Sequence, residues 1–293
     1  MRDFNDDNIT EAVIAQFGAA PDPRLKRIMT SLVRHLHDFV RDVEPSFEEW
    51  SCAIDYLTRT GQACTDKRQE FILLSDTLGV SMLVDAVNHR MPEGATETTV
   101  LGPFYVDNPP ELPLGSDLSN GADGVALLVE GTVSSNDGAP LAGAVVDIWH
   151  ADDAGYYDVQ HADLDGPWLR ARFRTDAMGR FSFRTIMPAY YPIPDDGPVG
   201  QMLAATRRHP YRPAHIHFMI AAEGHQTLVT HVFASDSPYL DSDAVFGVKT
   251  SLIAAFTHHP ADAVIPRDHR HLAYDFGLKR LDGLSSLAWL KPR

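Results

Sequence analysis

From Leu25 to Val43 the apolar residues Leu25, Ile28, Met29, Leu32, Val33, Leu36, Phe39, Val40 and Val43 recur at three- and four-residue steps, with Arg, Asp and His between them. That spacing is one face of an amphipathic helix. Ser46-Phe47-Glu48-Glu49 has the form of a capping box, and Trp50, Ile54 and Leu57 continue a stripe that runs out at Gly61. A third helix is predicted over 66–89, through FILLSDTLGVSMLVDAV, before Pro92 and Gly94 stop it. The texture then changes. Pro103, Pro109, Pro110 and Pro113 with Gly102, Gly115, Gly121 and Gly124 make a linker. Beyond it lie short runs: 126–133, the turn Asn136-Asp137-Gly138, then 144–150, 180–185, 215–221 and 228–233. Short strands without long intervening helices indicate an antiparallel β-sandwich or barrel, the sandwich being the expected form. The pattern therefore predicts a mixed α and β chain, with a helical region over 1–98 and the sandwich over 99–293.

Composition narrows the function. At 293 residues and 44% hydrophobic, the chain is long and apolar enough for a sizeable core. Its net charge of −15 repels phosphate backbones and anionic membrane surfaces, which argues against nucleic acid and membrane partners. Cys52 and Cys64 are too few for a disulfide framework and fit a reducing compartment. The start, MRDFNDDNIT, has no apolar signal region and nowhere do 18 apolar residues run together, so a cytoplasmic protein is expected.

The most informative segment is Arg212-Pro213-Ala214-His215-Ile216-His217-Phe218-Met219-Ile220. Residues two apart on a strand point the same way with Cα atoms about 6–7 Å apart. His215 and His217 then face one point, where they can share a metal, while Ile216, Phe218 and Ile220 face the other side. Taken alone, the His-x-His pair could equally lie on a wet strand face and bind nothing. Two neighbouring motifs offer further ligands: the segment 147–158 and the segment 187–198, each a β-run entering a Gly- or Pro-stiffened loop with paired tyrosines, Tyr156-Tyr157 and Tyr190-Tyr191. Any one of these tyrosines could equally be an ordinary strand or loop residue with a polar tip.

Together the two loops and the His-x-His strand resemble the intradiol ring-cleavage dioxygenases, from the helical region to about Val248. The resemblance implies one Fe(III) per subunit held by Tyr157, Tyr191, His215 and His217. It also implies that Arg212 stabilises charge building on the substrate and that Tyr191 takes a substrate proton. The donor types make chemical sense. A phenol has an unperturbed pKa near 10, so only a strongly Lewis-acidic ion keeps it as phenolate at neutral pH.

For the substrate, the members that cleave hydroxyquinol (benzene-1,2,4-triol) resemble this chain at Leu73 and Asp76 and along 239–248. An acidic side chain accepts a hydrogen bond from the third hydroxyl, whereas against a bare ring edge it would be an unpaired buried charge. Asp76 as a merely exposed helix residue is the alternative. Val100, Leu101, Gly102, Pro103, Phe104, Ile193, Pro194 and Val245 are implied as pocket walls on the same basis. Catechol and chlorocatechols are the alternative substrates. His231 stands where the catechol-cleaving branch carries Gln, leaving metal-facing, supporting and packing roles open; His35, His37, His209, His225, His258 and His259 read as surface or local hydrogen-bonding residues. A divalent-metal cupin lacks its carboxylate here, and a non-catalytic transthyretin-like sandwich would leave both tyrosines idle. The resemblance further implies a homodimer through the N-terminal helices, with bound phospholipid between them; the long Leu25 to Val43 stripe itself needs cover.

Overall fold

The computed structural model describes residues 2–65, 68–164 and 166–281. The chain divides into two compact units, one up to Arg59 and one from Thr60 on. In the first, α1 (Ile9–Gln16) precedes α2 (Pro23–Val43). The α2 helix starts where Asp22 accepts the Arg24 N–H ahead of Pro23, and it ends at Glu44 in the left-handed region, φ 47°. The α3 helix (Phe47–Gln62) begins with the reciprocal box read from sequence. Glu49 N–H donates to Ser46 Oγ at 3.2 Å, and Ser46 N–H donates to Glu49 Oε2 at 2.8 Å.

The predicted third helix is in fact two, α4 (Glu70–Thr77) and α5 (Val80–Asn88). The helical period of the side chains runs through the break, but Gly79 takes φ 72° and stops the first helix by its backbone. The first two residues of that expectation, 66 and 67, lie outside the described residues, as does 282–293 of the expected sandwich.

The rest of the second unit is a sandwich. Its strands are β1 (Ala126–Ser135), β2 (Val145–His150), β3 (Arg170–Arg174), β4 (Arg180–Ile186), β5 (Tyr191–Pro192), β6 (Tyr211–Arg212), β7 (His215–Ala221), β8 (Leu228–Ala234), β9 (Ile253–Ala254), β10 (Thr257–His259), β11 (His269–Ala273) and β12 (Phe276–Leu278). One sheet runs β10-β11-β1-β12 with β4 also on β1; the other runs β3-β2-β7-β8-β9; β5 and β6 form a small ribbon. A further helix, α6 (Pro198–Ala205), joins the ribbon's two strands.

The expectation of a purely antiparallel sandwich needs correction, because β11 and β12 both run parallel to β1, and β9 parallel to β8. Short turns force antiparallel neighbours, and those are the pairs that sequence spacing reveals. The parallel partners arrive after long excursions of chain, whose direction no local signal records.

Between the sheets lies the core. Ile216, Phe218 and Ile220 from β7 meet Val146 and Ile148 of β2, Phe181 and Phe183 of β4, Leu127 and Val129 of β1, and Phe276 of β12. The β7 side chains of opposite parity, His215 and His217, face the other way, as alternation predicts. They are no wet surface, since each is only 1% exposed.

Phe218 is fully buried with ring centroids 4.7 Å from Phe276 and 6.2 Å from Phe181. Phe218→Ala is expected to lower unfolding free energy by about 3–5 kcal/mol in urea titrations. The exposed Met178→Ala is expected to change it by no more than about 0.5 kcal/mol.

Candidate metal centre and substrate pocket

The outer face of the second sheet carries a row of rings. Trp149 on β2 pairs with His217 on β7, which pairs with His231 on β8. Trp149 stacks on His217 at 4.6 Å, and the His217 and His231 centroids are 4.2 Å apart. Loops close over this face and bring in two phenols. Tyr157 follows the β2 loop and is 1% exposed; Tyr191 sits on β5 directly across from Arg212 on β6 and is 5% exposed.

Four donor atoms converge. The Tyr157 hydroxyl lies 3.2 Å from the Tyr191 hydroxyl, 3.0 Å from His217 Nε2 and 3.5 Å from His215 Nε2, and the two Nε2 atoms are 3.2 Å apart. Three of these separations fall among the edges of about 2.9–3.4 Å that bonds of about 2.0–2.1 Å to one metal ion would generate, and the 3.5 Å one lies just beyond them. His215 Nδ1 donates to the Pro213 carbonyl at 2.7 Å, so its Nε2 presents the lone pair. Burial, reinforced by neighbouring positive groups, holds the pKa of both imidazoles well below the ordinary value, which keeps them in the neutral, ligating form. Burial pushes the Tyr157 phenol well above its ordinary value, with Tyr191 beside it adding to the effect. A strong Lewis acid is what such a phenol needs to ionise. The donor set fits a hard, highly charged metal ion.

The supports of the phenols explain their placement. Arg170, buried on β3, pairs bidentately with Asp158, the residue after Tyr157, and donates through Nη1 to the Phe104 carbonyl at 3.0 Å. Phe104 in turn stacks on Tyr157 at 4.3 Å. Gly155 has φ 91°, and a Cβ there would lie 2.7 Å from the Tyr191 Cβ, so only glycine lets the two tyrosine loops approach this closely. At Gly102, with φ 77°, a Cβ would press on His217 Cε1 at 3.1 Å.

Beside the donors lie several of the residues expected to line a pocket. Arg212, 3% exposed, donates through Nε to Asp243 Oδ1 at 3.1 Å and lies 3.3 Å from His215 Nε2 through Nη1. Its Nη2 has no hydrogen-bond partner among the described residues, and Asp243 and the two phenols favour its charged form. Leu73 of α4 packs with Ile193, Leu203, Ala244 and Val245 in one apolar cluster. Asp76 is buried, and burial raises its pKa; the Ser81 hydroxyl and the Arg212 charge act in the opposite sense. Val100 is half-buried, whereas Leu101, Pro103 and Pro194 are exposed.

Sequence reasoning missed Arg170 and Asp158, because a buried Arg on a short strand has no local signature. It also missed His150, whose Nδ1 donates to the Ala151 carbonyl at 2.7 Å while Nε2 meets Thr185 Oγ1 at 2.8 Å. His231 was singled out only by its departure from the family pattern; its Nδ1 lies 2.9 Å from Thr99 Oγ1.

The fold and the site define a class. The chain belongs to the intradiol ring-cleavage dioxygenases, with residues 100–280 matching the dioxygenase family and 22–96 matching the catechol dioxygenase N terminus. It is 58% identical over 253 residues to the 6-chlorohydroxyquinol 1,2-dioxygenase of Cupriavidus pinatubonensis, covering 86% of this chain and 92% of that one. It is 54% identical over 254 residues to the hydroxyquinol 1,2-dioxygenase of a Rhizobium species, covering 86% of each. Among solved structures, hydroxyquinol 1,2-dioxygenase from Pseudomonas putida superposes with a TM-score of 0.90 at 50% identity, covering 94% of this chain and 98% of that one. A catechol 1,2-dioxygenase from an Acinetobacter species gives 0.82 at 28% identity, over 100% of this chain and 99% of that one.

Burial lowers the His150 pKa to about 4, below its unfolded value near 6.5. Between those values the unfolded chain binds the extra proton, so stability falls as pH drops through that window, by up to about 1.4 kcal/mol per pH unit. Urea midpoints compared between about pH 7 and pH 4.5 should show a shallower acid loss in His150→Asn than in the wild type. An unchanged slope would mean that the folded chain protonates His150 freely.

Proposed function

We propose that the protein cleaves hydroxyquinol (benzene-1,2,4-triol) between its two adjacent hydroxylated carbons, incorporating both atoms of O2 to give 3-hydroxy-cis,cis-muconate or its keto form, maleylacetate. The observation that carries this is the convergence of four donors, with the Tyr157 hydroxyl 3.0–3.5 Å from those of Tyr191, His215 and His217. One Fe(III) per chain, held by these four residues, would supply the Lewis acidity that lets a chelated diol react directly with O2. Tyr191, held as tyrosinate, would accept a proton from the incoming diol on its phenolate oxygen and become a neutral phenol. Arg212 offers its unpartnered Nη2 to the negative charge that builds on the ring oxygens, in a site where Asp243 holds the guanidinium and no reorientation is needed. Leu73, Ile193 and Val245 wall the ring and exclude water. Val100, Leu101, Gly102, Pro103, Phe104 and Pro194 complete the pocket.

The hydroxyquinol choice rests on Asp76 and on the relatives. Those named for hydroxyquinol or its 6-chloro form are 48–58% identical to this chain, while the catechol 1,2-dioxygenase of Candida albicans is 39% identical over 84% of this chain. Catechol and chlorocatechol are the competing substrates. Purified protein carrying one iron per chain, coloured by tyrosinate-to-iron charge transfer, should consume O2 faster with the triol than with catechol; colourless protein without O2 uptake would refute the reading.

The helices of the N-terminal region, 1–98, are the proposed dimer contact. Along α2 the side chains of Leu25, Ile28, Leu32, Leu36, Phe39, Val40 and Val43 are each about half exposed, and no residue of this helix is buried. A phospholipid acyl chain between two such stripes belongs to the same reading, and the unpaired Cys52 and Cys64 fit a cytoplasmic location. Light scattering at micromolar concentration should give twice the 32.4 kDa chain mass.

Tyr157→Phe, His215→Ala and His217→Ala should each lose iron or colour, because each removes one of the four donors, while Tyr156→Phe and Tyr190→Phe keep both. Bleaching by Tyr190→Phe but not by Tyr191→Phe would shift the ligand by one residue. Asp76→Ala removes a charge-assisted bond to the third hydroxyl, worth roughly 1.5–3 kcal/mol. It should therefore cut kcat/KM for hydroxyquinol about ten- to a hundredfold and leave catechol level or improved. An equal loss on both substrates would assign Asp76 to the fold instead.

A further inference from the structure

The four-donor iron site leaves one buried imidazole at the centre without a task. His231 is fully buried, and its Nε2 has no hydrogen-bond partner among the described residues. Its position is set by pairing: His231 lies directly across from His217 on the neighbouring antiparallel strand, and His215 stands two residues before His217 on the same face. The ligand nitrogens of His215, His217 and His231 all lie within 4.8 Å of one another.

We propose that these three imidazoles form a second metal-binding set, selective for divalent first-row cations such as Zn2+ and Co2+, which overlaps the four-donor set and competes with it. Three neutral nitrogens with an open fourth position are a ligand set that Zn2+ accepts at bond lengths of about 2.0–2.1 Å. Imidazole suits the divalent ions from iron to zinc, whereas two anionic oxygens suit a trivalent one. The His215–His217 edge, 3.2 Å between Nε2 atoms, already has the length that such an ion needs. Bringing His231 in from at most 4.8 Å requires a shift of about 1.5 Å, within reach of a side-chain rotation. Thr99 can prepare the ring for this. Its hydroxyl oxygen, 2.9 Å from Nδ1, can accept a hydrogen bond from Nδ1–H, which holds the proton on Nδ1 and leaves the lone pair on Nε2. Thr99 is itself fixed, since its backbone N–H donates to the Val229 carbonyl at 2.9 Å. Because His215 and His217 belong to both sets, one chain holds one ion at a time. A divalent ion that reaches the site first therefore blocks loading of the trivalent one. Only the imidazoles enter the second set, so its failure and the failure of the four-donor iron site are separable.

The test is a titration of metal-free, full-length protein with Co2+, followed by the visible ligand-field absorption of the ion, with Zn2+ as competitor. The wild type should bind one Co2+ per chain, released by one Zn2+. His231→Gln should weaken Co2+ binding by at least about tenfold, and Tyr191→Phe should leave it within about twofold of wild type. No Co2+ binding by the wild type, equal binding by His231→Gln, or an equal loss in Tyr191→Phe would each overturn the proposal. Thermal melts of the metal-free variants establish that they fold. If His231→Gln does not, long-range 15N spectra of wild-type imidazoles decide: Zn2+ should shift the nitrogens of His215, His217 and His231, and shifts confined to two of them would refute the three-imidazole site.

Discussion

Gathering four polar donors at one buried point is what this chain has to be built around. The Tyr157 hydroxyl lies 3.0–3.5 Å from the Tyr191 hydroxyl and the two imidazole nitrogens, in a place almost without solvent. A buried polar group without a partner costs about 1–3 kcal/mol, so such a gathering persists only where the backbone leaves the side chains little choice. The choice is removed at each donor separately. His215 and His217 sit on β7, which is hydrogen-bonded on both edges, to β2 and to β8. Tyr191 is fixed by pairing of its strand with the strand of Arg212. Tyr157 is locked between the Phe104 ring and the buried Arg170–Asp158 pair.

The two faces of the second sheet divide the work between stability and chemistry. Alternation along β7 sends Ile216, Phe218 and Ile220 into the inter-sheet core, where they anchor the strand, and His215 and His217 outward, where they can act. Supports for the outward face come from far along the chain. Glu70, wholly buried on α4, receives the Val199 N–H at the start of α6 at 3.1 Å, tying the helix that carries Leu73 and Asp76 to the segment following Ile193. Asp147 on β2 accepts two bonds from Arg172 at 2.6 and 2.7 Å and one from the Tyr105 hydroxyl at 3.1 Å, which secures the 99–105 loop against the sheet. Removing one partner from such a buried ion pair leaves an uncompensated charge, so these groups stabilise the site chiefly through their completeness.

Much of this architecture is legible in the amino-acid sequence itself. The α2 and α3 stripes, the capping box at Ser46 and strands β1, β2, β4, β7 and β8 follow from local periodicity and turn chemistry. The parity of His215 against Ile216 is equally local. What is not legible is of two kinds. The strand Arg170-Ala171-Arg172-Phe173-Arg174 looks like a solvated segment, because charged residues are rarely buried; only pairing with Asp158 and Asp147 explains it. The short strands from Ile253 to Leu278 have too few residues to show a period, and their parallel pairing depends on chain direction after long loops. The placement of Tyr157 and Tyr191 at one point came from resemblance, since no spacing in sequence brings together residues that lie 34 positions apart.

Which atoms surround the metal is read directly by a crystallographic anomalous difference map at the iron edge, from crystals of iron-loaded protein. The account predicts one peak per chain, about 2.0–2.2 Å from the hydroxyl oxygens of Tyr157 and Tyr191 and from Nε2 of His215 and His217. A peak held by His231 with neither tyrosine in reach, or one away from the outer face of β7, would contradict it.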